Sequence, residues 1–114
     1  MEQKLIETRG LDQVLIDFAK ARDWEQFHSP KNLAMALSAE VGELVEIFQW
    51  LTEEQSKAVM ADKAREVHVK DELADVMMYL ARLASILGVD LDDAVRAKIV
   101  KNSIKYPPCN EGPG

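Results

Sequence analysis

Between Leu33 and Leu51 the only charged residues are Glu40, Glu43 and Glu46. Glu40 and Glu43 are three apart, which at about 100° per residue puts them about 60° apart on neighbouring turns of a helix. No Lys or Arg lies one turn away to pair with them. Glu40 also falls within the stripe Leu33, Leu37, Leu44 and Ile47, where the pattern calls for another Leu. Glu72 and Asp75 repeat the spacing, and Asp75 is the only charge between Leu73 and Ala81. A buried carboxylate without a counter-charge costs several kcal/mol or takes up a proton. Four converging carboxylates need cations between them. Magnesium prefers hard oxygen ligands, keeps part of its water shell and bridges readily to phosphates. Two such pairs on facing helices therefore predict a site for Mg2+, with Mn2+ as a substitute, that holds a polyphosphate. A solvated acidic stripe is the plainer alternative. The residues taken alone leave these two readings level.

The elements that must present these groups are helical. Strand signals are weak, and no Asn-Gly or Asp-Gly turn occurs. Apolar periodicity predicts a first helix over residues 11–22 and an irregular aromatic segment, DWEQFH, over 23–28. Ser29 as N-cap and Pro30 at the first position open a second helix that reaches about Leu51. Thr52 and Gln55 form a capping box for a short helix. A third long helix starts somewhere in 63–69 and runs to Leu87, where Gly88 stops it. Asp90 caps a fourth, which ends before Pro107 and Pro108. This predicts one all-α domain over residues 1–107, a four-helix bundle, with 108–114 as a mobile tail. The segment LADVMMYLARLASIL, residues 73–87, is apolar almost all round and so needs burial on several sides. A homo-oligomer with this helix near a subunit interface is expected.

Composition narrows the class. The chain has 114 residues, 47% apolar and 30% charged, with a net charge of −6. An acidic chain without a basic cluster is a poor nucleic-acid binder. The single cysteine, Cys109, supports neither a disulfide framework nor a thiolate zinc site and suits a reducing cytoplasm. The opening residues MEQKLIETRG lack an apolar signal core, and no long apolar run predicts a membrane span.

EVGELVEIFQW at 40–50 followed by KDELADVMMYLARLA at 70–84 resembles the all-α nucleoside triphosphate pyrophosphohydrolases of the MazG-like superfamily. The signature is E-x-x-E, a spacer and E-x-x-D; here 28 residues lie between Glu43 and Glu72. ARDWEQFHSPKNL at 21–33 and AKIVKNSIKYP at 97–107 are similar to the branch that includes the dCTP pyrophosphatases. The resemblance implies a four-helix bundle assembled as a dimer or tetramer, with the active site near a dimer interface. It implies magnesium-dependent cleavage of a nucleoside triphosphate, dCTP or a related dNTP, to monophosphate and pyrophosphate. By position, Glu40, Glu43, Glu72 and Asp75 would be the metal ligands, and Glu40 or Glu43 the base that takes a proton from water. Trp24, Gln26, Phe27, His28, Trp50 and Tyr79 would line the nucleotide pocket. Lys98 and Asn102 would approach the phosphates. Leu15 stands where some relatives place a histidine that enters the neighbouring subunit's site.

Two other readings compete. A di-iron bundle wants E-x-x-H on two helices, and neither Glu40 nor Glu72 has His three residues later. A non-catalytic helical oligomer that binds a protein partner would carry an acidic face with no dependence on metal.

Overall fold

Local capping sets the helix boundaries in the computed structural model, which describes residues 3–109. Five helices follow one another: α1 (Arg9–Ala21), α2 (Pro30–Phe48), α3 (Glu53–Lys57), α4 (Lys63–Leu87) and α5 (Leu91–Lys105). Single 3-10 turns lie at Glu25–Phe27 and Val59–Ala61. No strand occurs among the described residues. The Ser29 hydroxyl accepts the Asn32 amide at 3.1 Å, with Pro30 at the first helical position. Thr52 and Gln55 form the expected reciprocal capping box. Asp62 accepts the Ala64 and Arg65 amides to open α4, and Asp90 accepts the Asp93 amide to open α5. Gly88 ends α4 at φ 70°, a conformation that is costly for residues with a Cβ.

Two boundaries differ from the periodicity. α1 starts at Arg9 rather than Leu11, because the Asp12 amide donates to the Thr8 carbonyl at 2.7 Å and closes a polar first turn. α2 ends at Phe48 rather than Leu51, because Thr52 must be extended (ψ 167°) to cap α3. The tail residues 110–114 lie outside the described part of the chain.

α2 lies along α4, and α1 packs on α4 as well. Ala19, Leu33, Val59, Val69, Ala81 and Ala84 form the buried apolar centre. This is a sparse core. Leu73, Met77, Leu80 and Leu87 on α4 stay exposed in the single chain, as do Ile99, Val100 and Ile104 on α5. The radius of gyration is 18.0 Å, against about 13 Å for a compact domain of this length. α5 contributes to that excess, since it packs closely on none of the other helices. Its first turn is tied instead to the N-terminal segment. The Asp92 carboxylate, itself buried, accepts the Leu5 and Ile6 amides at 2.7 and 3.0 Å and pairs with Arg96 at 3.0 Å. The Ile6 amide, the Arg96 guanidinium and the Leu5 amide hold its carboxyl below the usual carboxylate range despite burial.

The end of α1 fixes the segment that leads into α2. Asp23 is left-handed at φ 55°. The Trp24 amide donates to the Ala19 carbonyl at 2.9 Å and the Asp23 amide to the Lys20 carbonyl at 3.2 Å. These are the paired bonds of a Schellman closure, with Asp23 where glycine is usual. Phe18 supplies its apolar contact, meeting the Trp24 ring edge-on at 5.6 Å, and the Arg22 guanidinium lies over the Phe18 ring. Asp23→Gly is expected to be tolerated, because glycine adopts this backbone freely. Asp23→Val is expected to destabilise the fold by about 1–2 kcal/mol, the penalty of a left-handed β-branched residue. Chemical denaturation of both variants checks the pair.

Candidate active site

The packing of α2 on α4 brings Glu40, Glu43 and Glu72 together. One carboxylate oxygen from each lies within 4.8 Å of the others. Glu72 is buried, Glu40 half-buried and Glu43 exposed, so the cluster opens outward on the Glu43 side. Glu40 Oε2 and Glu72 Oε2 are shielded from solvent and have no hydrogen-bond partner. The exposed His68 lies beside the cluster, with its Nε2 3.7 Å from Glu72 Oε1. Contact with the Glu40 carboxylate, burial and the Glu43 carboxylate together push the Glu72 carboxyl up to about 8. Without a cation the crowding thus favours the protonated form of Glu72. Three hard oxygen donors, two of them with buried and unsatisfied atoms, fit a divalent cation of the magnesium class.

Asp75 lies one turn beyond Glu72 on α4, outside that triad, and lines an adjoining cavity of about 300 Å³. Trp24, His28, Leu33, Tyr79 and Arg82 also border it, as does Leu15. A second cavity, of about 320 Å³, shares Trp24, His28 and Tyr79 and adds Phe27 and Asn32. The helix period explains the grouping, since Glu72, Asp75, Tyr79 and Arg82 fall within an arc of about 80° on α4. A carboxylate cluster thus adjoins an apolar, aromatic-walled cavity that is large enough for a planar ring system.

The pattern of the MazG-like family matches residues 35–112. The chain belongs to the MazG-like family. Within it, the chain is similar to dCTP pyrophosphatase 1 of Bos taurus, 44% identical over 91 residues that make up 80% of this chain and 54% of the relative. It is 45% identical over the same length to dCTP pyrophosphatase 1 of Homo sapiens. The chain spans about half the length of those relatives. A crystal structure of a pyrophosphatase from Archaeoglobus fulgidus DSM 4304 superposes with a TM-score of 0.82 at 36% identity, covering 95% of this chain and 99% of that one. The family's pattern covers Glu40, Glu43, Glu72 and Asp75.

Other residues singled out in the sequence lie apart. Gln26 bonds back to Asp23, through its backbone carbonyl at 3.0 Å and its carboxylate at 3.2 Å, and so braces the turn after α1. Trp50, just beyond α2, is 85% exposed. Lys98 and Asn102 project from α5 and are exposed. None of these four lines either cavity. Sequence reasoning passed over Arg82, which is buried and donates from Nε to His28 Nδ1 at 3.2 Å. The signal was a single Arg in residues 73–87, two turns after Asp75 on the same face. Burial, then the Arg82 charge, lower the His28 pKa below its ordinary 6.5, with Glu25 opposing.

The raised Glu72 carboxyl has a consequence for stability. The folded state binds this proton more tightly than the unfolded chain does. The group's contribution is therefore full below about 4.5 and is lost as pH rises through about 8. His28, lowered below 6.5, works in the opposite sense but has finished titrating by about pH 7.5. In chelator, the thermal midpoint is expected to fall between pH 7.5 and 8.5, and Glu72→Gln is expected to flatten that fall. Thermal melts of both proteins across this window measure it.

Proposed function

We propose that the chain is a divalent-cation-dependent nucleoside triphosphate pyrophosphohydrolase, a single helical domain over residues 1–107. Its substrate would be dCTP or a related deoxynucleoside triphosphate, cleaved to the monophosphate and pyrophosphate. The observation that carries this reading is the convergence of Glu40, Glu43 and Glu72, with unpartnered buried oxygens, beside the aromatic-walled cavity. Family membership and the names of the similar proteins support it.

In this reading Glu40, Glu43, Glu72 and Asp75 hold Mg2+, or Mn2+ in its place. The bound cation would neutralise charge on the phosphate chain and make an attacking water more acidic. Glu40 or Glu43 accepts that water's proton, a role open to whichever carboxylate keeps a free oxygen. Trp24, Phe27 and Tyr79 sandwich the base in the cavity, since aromatic faces stack on any base at about 1–3 kcal/mol each. His28 contacts the base edge, and Gln26 keeps the loop in place. Trp50 closes over the nucleotide from the end of α2. Lys98 and Asn102, one turn apart on α5, contact the phosphates. The exposed apolar residues of α4 and of the loosely packed α5 support assembly as a dimer or tetramer, with the site completed near the interface. No helix of the described residues is long and apolar enough to cross a membrane. A cytoplasmic enzyme that needs neither nucleic acid nor membrane fits the acidic, nearly cysteine-free chain.

Incubation with each ribonucleoside and deoxynucleoside triphosphate, with and without Mg2+, tests the reading. Ion-exchange chromatography should find monophosphate and pyrophosphate only when Mg2+ is present. Glu43→Gln is expected to lower turnover at least about a hundredfold, the scale of a lost general base, with helicity and assembly kept. Release of orthophosphate and a diphosphate, or turnover that persists in chelator, would overturn it.

A further inference from the structure

Arg82 is 7% exposed, and its one hydrogen bond among the described residues goes to a neutral acceptor, His28 Nδ1. It forms no ion pair there, although Asp75 lines the same cavity from the same face of α4. A buried cation with no carboxylate partner is a poor contributor to stability, and an apolar side chain of similar volume would pack as well. The interaction makes sense through what it does to the histidine. A guanidinium can only donate, so Nδ1 must be unprotonated and the single imidazole proton must sit on Nε2. Nε2 has no partner among the described residues, and the ring borders both cavities together with Trp24 and Tyr79.

We propose that Arg82 is a positioning residue that holds His28 as the neutral Nε2–H tautomer, so that the cavity offers a hydrogen-bond donor to an acceptor atom of the nucleobase. The opposite tautomer would offer a lone pair instead and would favour an exocyclic amino group. Arg82 thereby sets the polarity with which the pocket reads a base edge. Pyrimidines carry a ring carbonyl oxygen, and cytosine also carries an unprotonated ring nitrogen, that could accept such a bond. The charges that act on the imidazole are Arg82 from α4 and Glu25 from the 3-10 turn, and Asp75 and Tyr79 from α4 border the same cavity. The inference rests on the nucleotide-pocket reading of the cavity, but its first readout needs no nucleotide.

The test uses the full chain with 15N-labelled histidine and long-range 15N–1H correlation spectra at pH 7.5, with His28 and His68 told apart by a His68→Gln variant. Wild type and Arg82→Lys, which keeps a donor, should show His28 in the Nε2–H form alone. Arg82→Met should show a mixture of tautomers and a higher His28 titration midpoint. In the same variant the KM for dCTP should rise about tenfold, the scale of one lost hydrogen bond, with kcat within about twofold. Arg82→Lys should recover most of that rise. A wild-type His28 in the Nδ1–H form would overturn the proposal. So would a folded Arg82→Met protein with unchanged tautomer and KM. If Arg82→Met does not fold, the wild-type and Arg82→Lys spectra still decide. An Arg82-dependent Nε2–H spectrum in a protein that turns over no nucleotide would uphold the positioning and remove the pyrophosphohydrolase reading.

Discussion

Three carboxylates within 4.8 Å of one another repel, and in this fold Glu40 and Glu72 are too enclosed to move apart. Glu40 is held by α2 and Glu72 by α4, and the two helices pack along each other. Rotating either side chain into solvent would mean turning a helix whose same side carries Leu33 or Val69 into the core. The cluster therefore relieves its repulsion chemically. It favours a proton on Glu72, whose carboxyl is pushed up by its neighbours, or it accepts a cation. A single cation on several oxygens satisfies all three groups, whereas one proton satisfies a pair. The same repulsion that makes the metal-free site unfavourable makes it a strong cation site.

The rest of the molecule serves that geometry. Caps at Ser29 and Asp62 set where α2 and α4 begin, and Gly88 sets where α4 ends, and so they fix the turn from which each carboxylate projects. The closure of α1 at Asp23 hands the chain to Trp24, and Phe18 packs edge-on against the indole where both line the cavity. α4 carries both functions at once. Glu72 faces the charged cluster, while Asp75, Tyr79 and Arg82 face the adjoining cavity one and more turns later. A chain of this size has little core to spare, and α4 and α5 leave apolar surface that only further packing could cover.

Most of this was legible where the physics is local. The caps at Ser29, Thr52 and Asp90 and the stop at Gly88 depend on side chains within three residues of the amide they serve, so their signals survive in the one-dimensional order. The carboxylates were legible because they interrupt an apolar stripe; Glu40 stands where a Leu belongs. The start of α4 could be placed only within several residues, because Lys63, Arg65 and Glu66 are polar on every side and show no periodicity. Arg82 was missed because a lone Arg in an apolar helix ordinarily extends its head group to water. Its burial depends on His28, 54 positions earlier, and no local rule carries that distance. The outward course of α5 was not legible either, because the same sequence pattern suits a helix that packs on its own chain and one that packs on another.

The central claim is that this carboxylate cluster is a divalent-cation site. Crystals grown in chelator and then soaked in millimolar Mn2+ test it most directly, by anomalous diffraction. The account predicts a difference peak within coordination distance of Glu40, Glu43 and Glu72. Full occupancy elsewhere with no peak at the cluster, or a wild-type map indistinguishable from that of Glu72→Gln, would contradict it.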